Sequence, residues 1–322
     1  VSDDIVLPTS SYGTRPTAEG DFELDAGNVA AVFGVDAVKP LGRGAFGETW
    51  RLDLADGSYR AAKVIMSPTY SRARLDREVE GLRRVDSPHV VKLVDTASVD
   101  VGGATRAALV FEFVPGGDAA TRLTPGSQVD SCEVVRFGSG VMAGLAALHA
   151  VDTVHRDIKP ANIAVRDGDG AQPVLLDLGL ARVLDRESIT SYPTLIGTAP
   201  FMAPEQLRQE RARKAADIFA VGVVLHLMAA GAHPFYEGRD TVTFTEAIAL
   251  INAGPAPLPE HVPADLAFLV RRFLHPDEAE RGSARRACRD LARLRDVRPD
   301  HAGADPAATA THRDHQGDDH ER

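Results

Sequence analysis

His155-Arg156-Asp157-Ile158-Lys159-Pro160-Ala161-Asn162 is the stretch on which the reading of this chain turns. It sets an aspartate, a lysine and an asparagine at offsets of zero, two and five. Phosphoryl transfer has a place for each of them. A carboxylate accepts a hydroxyl proton, an ammonium neutralises phosphate charge, and an amide oxygen holds a magnesium ion. His-Arg-Asp alone carries little weight, because the tail repeats it at His312-Arg313-Asp314 without a following Lys-Pro-x-Asn. The full eight residues are more specific, and the rest of the chain supplies partners in order.

A glycine-rich stretch lies upstream. Leu41-Gly42-Arg43-Gly44-Ala45-Phe46-Gly47-Glu48-Thr49 reads G-x-G-x-x-G between two strand-like runs, Ala37 to Leu41 and Thr49 to Leu54. Glycine lets backbone amides approach phosphate oxygens with no Cβ in the way. A dinucleotide-binding turn would need a helix directly after the third glycine and an acid about twenty residues on. Glu48 to Leu52 reads instead as a strand, which leaves a hairpin over a nucleotide.

Lys63 follows in the strand pattern Tyr59 to Met66, ahead of an amphipathic helix expected over Ser71 to Val85. Leu75, Val79, Leu82 and Val85 recur there at helical spacing and mark the buried face. Glu78 sits at the edge of that face, where its carboxylate can pair with Lys63 and hold it against phosphates.

From here the chain resembles the eukaryotic-type serine/threonine protein kinases, over roughly residues 36 to 295. Asp177-Leu178-Gly179 resembles the metal-binding D-F-G element with Leu for Phe, and Ala203-Pro204-Glu205 matches A-P-E. Asp217 to Gly222 resembles the start of the central large-lobe helix. His275-Pro276-Asp277 with Arg281 resembles the late segment whose arginine pairs with the A-P-E glutamate. The order of these motifs carries more weight than any one of them.

The resemblance implies an α+β, two-lobed protein-kinase-like fold. A small antiparallel β-sheet lobe with one main helix sits against a larger helical lobe, and ATP lies between them. Strands are expected near 37–41, 48–54, 59–66, 91–97 and 106–113. The implied domain runs over 28–296, with the small lobe to about 114. A flexible segment is expected over 1–27 and a disordered charged tail over 297–322, since neither stretch has the apolar content to offset the entropy of ordering.

The resemblance also assigns roles. Lys63 holds the α- and β-phosphates and Glu78 holds Lys63. Asn162 and Asp177 hold Mg²⁺, or Mn²⁺. Asp157 orients the substrate hydroxyl, with Lys159 near the γ-phosphate. Leu41, Gly42, Gly44, Gly47, Thr49 and Ala61 cover ATP. Glu112 and Val114 meet the adenine edge through their backbone, behind Phe111 as gatekeeper, and Asp118 meets the ribose. Ala164 replaces the usual bulky aliphatic floor under adenine, and Thr49 the usual valine. Leu178 is expected to stack with Leu82, Leu93 and His155. Thr198 bridges Asp157 and Lys159. Thr190 and Thr194 are the expected activation-loop phosphosites, near Arg74, Arg156 and Arg182.

The implied activity is serine/threonine protein kinase, acting on protein hydroxyls, with autophosphorylation through a transient homodimer. A catalytically weak, nucleotide-binding scaffold is the alternative, although such relatives usually lose Lys63, Asp157 or Asp177, all retained here. Small-molecule kinases that share the core lack the Gly197-Thr198 and Ala203-Pro204-Glu205 peptide shelf. Leu227 stands where arginine-directed relatives carry a glutamate.

Composition fits this reading. With 322 residues and a net charge of −10, the chain is long enough for one two-lobed domain. It has no basic run suited to nucleic acid. Two cysteines, Cys132 and Cys288, make no disulfide framework and are expected as buried fillers. The acidic opening Val1-Ser2-Asp3-Asp4 is not what a signal peptide is expected to show, and a cytoplasmic protein is expected. Ile218 to Phe235 lacks a formal charge over 18 residues, but Gly231 and Pro234 break it, which favours a buried helix over a membrane span.

Overall fold

The computed structural model describes residues 4–6, 22–44, 47–66, 72–123, 126–177 and 199–297. Strand β1 is Asp4–Val6, and helix α1, Ala26–Phe33, opens the small lobe. Strands β2 (Ala37–Gly44), β3 (Gly47–Asp53), β4 (Tyr59–Ile65), β5 (Leu93–Val101) and β6 (Ala104–Glu112) form one antiparallel sheet in the order β2-β3-β4-β6-β5. β2 is an edge strand, where Pro40 costs no ladder bond on its open side. Helix α2, Arg72–Arg83, follows β4. Leu75, Val79 and Leu82 are buried on it, as the periodicity predicts, while Val85 lies beyond its end and is half-buried.

The segment expected to be flexible over 1–27 contains ordered structure. Asp4–Val6 pairs antiparallel with Thr241–Thr243, and Ile5 is buried in the large-lobe core. Phe22 meets Trp50 edge-on at 4.8 Å, and Leu24 and Val29 join the cluster around Trp50. Asp25 caps α1 by accepting the Asn28 N–H, and Gly34 ends it in the left-handed conformation. Isolated apolar residues in polar surroundings carry no periodic signal, so this correction comes from tertiary contact alone.

The large lobe is helical: α3 (Ser131–Ala150), α4 (Pro204–Leu207), α5 (Lys214–Ala230), α6 (Phe244–Ala253), α7 (Ala264–Phe273), α8 (Glu278–Arg281) and α9 (Ala284–Val297). Two short hairpin strands, β7 (Ile163–Val165) and β8 (Pro173–Leu175), lie beneath the cleft, and β9 (Thr241–Thr243) precedes α6. The uncharged stretch from Ile218 belongs to α5, which is buried almost throughout and stops at Gly231 with φ 71°. Among the described residues, α3 alone has the length and apolar composition to cross a membrane, and 61% of its 18-residue apolar stretch is buried. Cys132 and Cys288 are free and only half-buried, so the buried-filler expectation is corrected.

Arg281, with no exposed surface, pairs with Glu205 through two contacts of 2.6 and 2.9 Å. It also donates to the carbonyls of His275 and Pro276. This fork-on-fork geometry joins α4 to α8.

Candidate active site

The catalytic stretch is held from below by Asp217, which opens α5 and is 1% exposed. Its carboxylate accepts the backbone N–H of His155 at 2.9 Å and of Arg156 at 2.7 Å, and meets His149 Nε2 at 2.9 Å. Arg156 has φ 68°, a left-handed backbone that costs a non-glycine residue about 1–2 kcal/mol. The Asp217 contact to its N–H offsets that cost. His155 Nε2 lies 2.8 Å from the Leu176 carbonyl. A carbonyl only accepts, so Nε2 carries the proton there. The stretch is thereby tied to the residue preceding Asp177.

Asp157 is oriented by its own motif. Asn162 Nδ2 donates to the Asp157 carbonyl and to its Oδ2, both at 2.8 Å, and Lys159 Nζ lies 3.1 Å from the same Oδ2. Using Nδ2 as the donor turns the other end of the amide, Oδ1, into the acceptor suited to a hard cation.

Lys63, on β4 and 7% exposed, places Nζ 2.7 Å from Asp177 Oδ1. Desolvation pulls the Asp177 carboxyl up, but the Lys63 ammonium, with His155 and Lys159 adding to it, holds the group below the usual carboxylate range. Asp177 sits at φ 55°, a second left-handed position beside that of Arg156. Asn162 and Asp177 are drawn near each other by the β7–β8 hairpin, in which Leu176 N–H donates to the Asn162 carbonyl at 2.9 Å. A carboxylate and an amide oxygen are the oxygen donors that a divalent cation such as Mg²⁺ takes.

The glycine-rich hairpin brings β2 and β3 together, with Gly44 opposite Gly47. A Cβ on Gly47 would sit 2.0 Å from the Val64 carbonyl, so glycine is required by packing on β4. Gly42 and Gly44 have open space at that position, Leu41 is exposed, and Thr49 lies opposite Lys63 in the sheet. Ala61 pairs with Phe111, which is 6% exposed.

The connection between the lobes is anchored on both sides. Glu112 N–H donates to the Lys92 carbonyl, and its carboxylate meets Arg166 at 3.2 Å. Beyond half-buried Val114, the Pro115 carbonyl accepts from Asp167 and the Gly117 carbonyl from Val165. Asp118 caps the next turn by accepting the Thr121 N–H, and burial raises its carboxyl. It bridges to Ala164, which is 3% exposed and belongs to the core cluster that runs through both lobes.

Leu82 and Leu93 are buried in the same core, and His155 is buried as well. The side chains of Glu78 and Arg74, and residues Leu178, Arg182, Thr190, Thr194 and Thr198, lie outside the described residues. Two residues of the site escaped sequence reasoning. Asp217 was read as a helix start, although an acid heading an otherwise apolar helix signals a buried partner. Glu48 was read only as part of a strand.

A helical lobe, a five-stranded lobe and this lysine–aspartate–asparagine constellation between them define a phosphotransferase cleft. The chain belongs to the protein kinase domain family, whose match spans residues 35–291. It is 34% identical over 238 residues to the probable serine/threonine-protein kinase PkwA of Thermomonospora curvata, covering 72% of this chain and 30% of that protein. It is 33% identical over 276 residues to the serine/threonine-protein kinase PkaB of Streptomyces coelicolor, covering 83% of this chain and 63% of that protein. With PknA of Corynebacterium glutamicum the identity is 30% over 247 residues, 75% of this chain and 52% of that protein. The chain thus spans about a third to under two thirds of the length of these relatives. The family uses ATP with a divalent metal.

Proposed function

We propose that this chain transfers the γ-phosphoryl group of ATP to serine or threonine hydroxyls of protein substrates. The observation that carries the reading is the held geometry of Asp157, gripped by Asn162 and Lys159 while Lys63 and Asp177 meet across the cleft. A divalent ion, Mg²⁺ in this reading, would be held by Asn162 and Asp177 and would neutralise phosphate charge. Asp157 orients the acceptor hydroxyl and takes its proton as the oxygen–phosphorus bond forms and ADP leaves. Lys159 and Lys63 balance the charge on the transferred and leaving phosphates.

Leu227 stands where arginine-directed relatives carry a glutamate and offers no carboxylate there, which supports a substrate preference not directed at arginine. Autophosphorylation at Thr190 or Thr194 through a transient homodimer, and a cytoplasmic setting, belong to the same proposal. Incubation of the purified chain with labelled ATP, Mg²⁺ and a mixture of protein acceptors tests it. Label on protein hydroxyls, absent with Lys63→Met, is expected. Nucleotide binding without transfer would leave the scaffold reading in its place.

A further inference from the structure

We propose that Glu48, through the stretch 22–25, is a positioning residue that sets how firmly the glycine-rich hairpin holds nucleotide phosphates. The inference rests on the nucleotide reading of the cleft, and the stretch 22–25 on which Glu48 acts lies ahead of the matched family region at 35–291.

Glu48 directly follows Gly47, the last glycine of the hairpin. Side chains alternate along a strand, so Glu48 shares a face of β3 with Trp50 and Leu52, while Thr49 faces the other way. That shared face is covered by the segment from Phe22 onward, with Phe22 against Trp50 and Leu24 and Val29 in the same cluster.

A carboxylate there has no exposed surface, and such a group is tolerated only when hydrogen-bonded. Its partners are two successive backbone N–H groups, Glu23 at 2.6 Å and Leu24 at 3.3 Å. Arg43, the residue directly across the hairpin from Glu48, brings Nε to 3.9 Å of the carboxylate and also pairs with Glu23. Both arms of the hairpin are therefore gripped by the same short stretch. Charge-assisted hydrogen bonds to a carboxylate are stronger than neutral ones. A glycine-rich loop loses more freedom on ordering than any other. Fixing its base in advance lowers the entropic cost of closing it on phosphates.

None of these side chains need touch the nucleotide, so the effect should track the phosphates and not the base. Calorimetric titration of the full chain with ATP and, separately, with adenosine makes the comparison. Glu48→Ala is expected to weaken ATP about tenfold while adenosine stays within about twofold. Glu48→Gln keeps one acceptor oxygen and should fall between Glu48→Ala and wild type. Equal losses for both ligands, or unchanged ATP affinity, overturn the inference. Should Glu48→Ala fail to fold, Arg43→Ala removes the Arg43 contacts to Glu48 and Glu23 while leaving the Glu48 carboxylate in place, and carries the same comparison, with the same selective loss expected. A wild-type chain that holds ATP no tighter than adenosine would overturn the nucleotide reading itself, before any substitution is made.

Discussion

Lys63 Nζ and Asp177 Oδ1 lie 2.7 Å apart, one from the small-lobe sheet and the other from the end of the β7–β8 hairpin. The pair joins the two halves of the cleft by charge. It also places the expected phosphate ligand and the expected metal ligand in contact. Asp177→Ala should therefore abolish the Mg²⁺-dependent part of ATP binding, and should cost more than Asn162→Ala, because an anionic ligand is lost in place of a neutral one. Thermal shift with ATP, with and without Mg²⁺, reads this directly. An equal, metal-independent shift in all three proteins would remove Asp177 from the metal site.

Asp157→Asn should stop transfer while leaving ATP affinity nearly intact. Its contacts are to Asn162 and Lys159, both within the catalytic stretch. Loss of a positioned base of this kind lowers the rate by about 10²–10⁴. Single-turnover kinetics on pre-bound ATP is the measurement, and near wild-type turnover would disprove the assignment.

His233 gives the fold a pH dependence. It is 5% exposed, with Nε2 2.9 Å from the Pro200 carbonyl and Nδ1 accepting the Phe235 N–H. Burial pushes its imidazole down to about 3, against a smaller upward pull from the Pro200 carbonyl. The unfolded chain binds that proton near pH 6.5. Between these values the unfolded state holds more protons, so stability falls as pH drops from about 6.5 toward 3. Burial lowers His226 as well, which adds in the same direction. Urea midpoints at pH 7.5, 5.5 and 4.5 should decline, and His233→Gln should flatten the decline. Identical slopes in the two proteins would assign the acid sensitivity elsewhere.

Arg281→Met should destabilise the chain by about 3–5 kcal/mol, because it strands the Glu205 carboxylate in the core. Adding Glu205→Leu should recover part of that loss, since an apolar pair leaves no buried charge. Denaturant unfolding of the single and double variants measures both. A single-variant cost below about 1 kcal/mol would mean that Glu205 finds another partner.

The small-lobe strands were legible because alternation and the glycine-rich turn mark them locally. Helix α2 was legible because Leu75, Val79 and Leu82 repeat at helical spacing. The pairing of Arg281 with Glu205 was readable only by resemblance, since 76 residues separate them and nothing local to either announces the other. Asp217 was visible as an acid at a helix start, but its two backbone partners at 155 and 156 depend on how α5 passes under the catalytic stretch. Ile5, Leu24 and Glu48 were illegible for one reason. Each is a single residue whose burial is created by a distant surface, and periodicity needs several residues to register.

Strand β1 changes the connectivity of the molecule. Asp4–Val6 lies on the large lobe against β9, while the chain from Phe22 lies on the small lobe. The small lobe thus meets the large lobe twice, covalently through the stretch from Phe113 to Asp118 and by strand pairing at β1, which β9 holds. A two-body system with a single joint is a hinge, and with a second tether it becomes a closed circuit. The tether's contour, at most about 3.6 Å per residue, bounds how far the two anchors can separate.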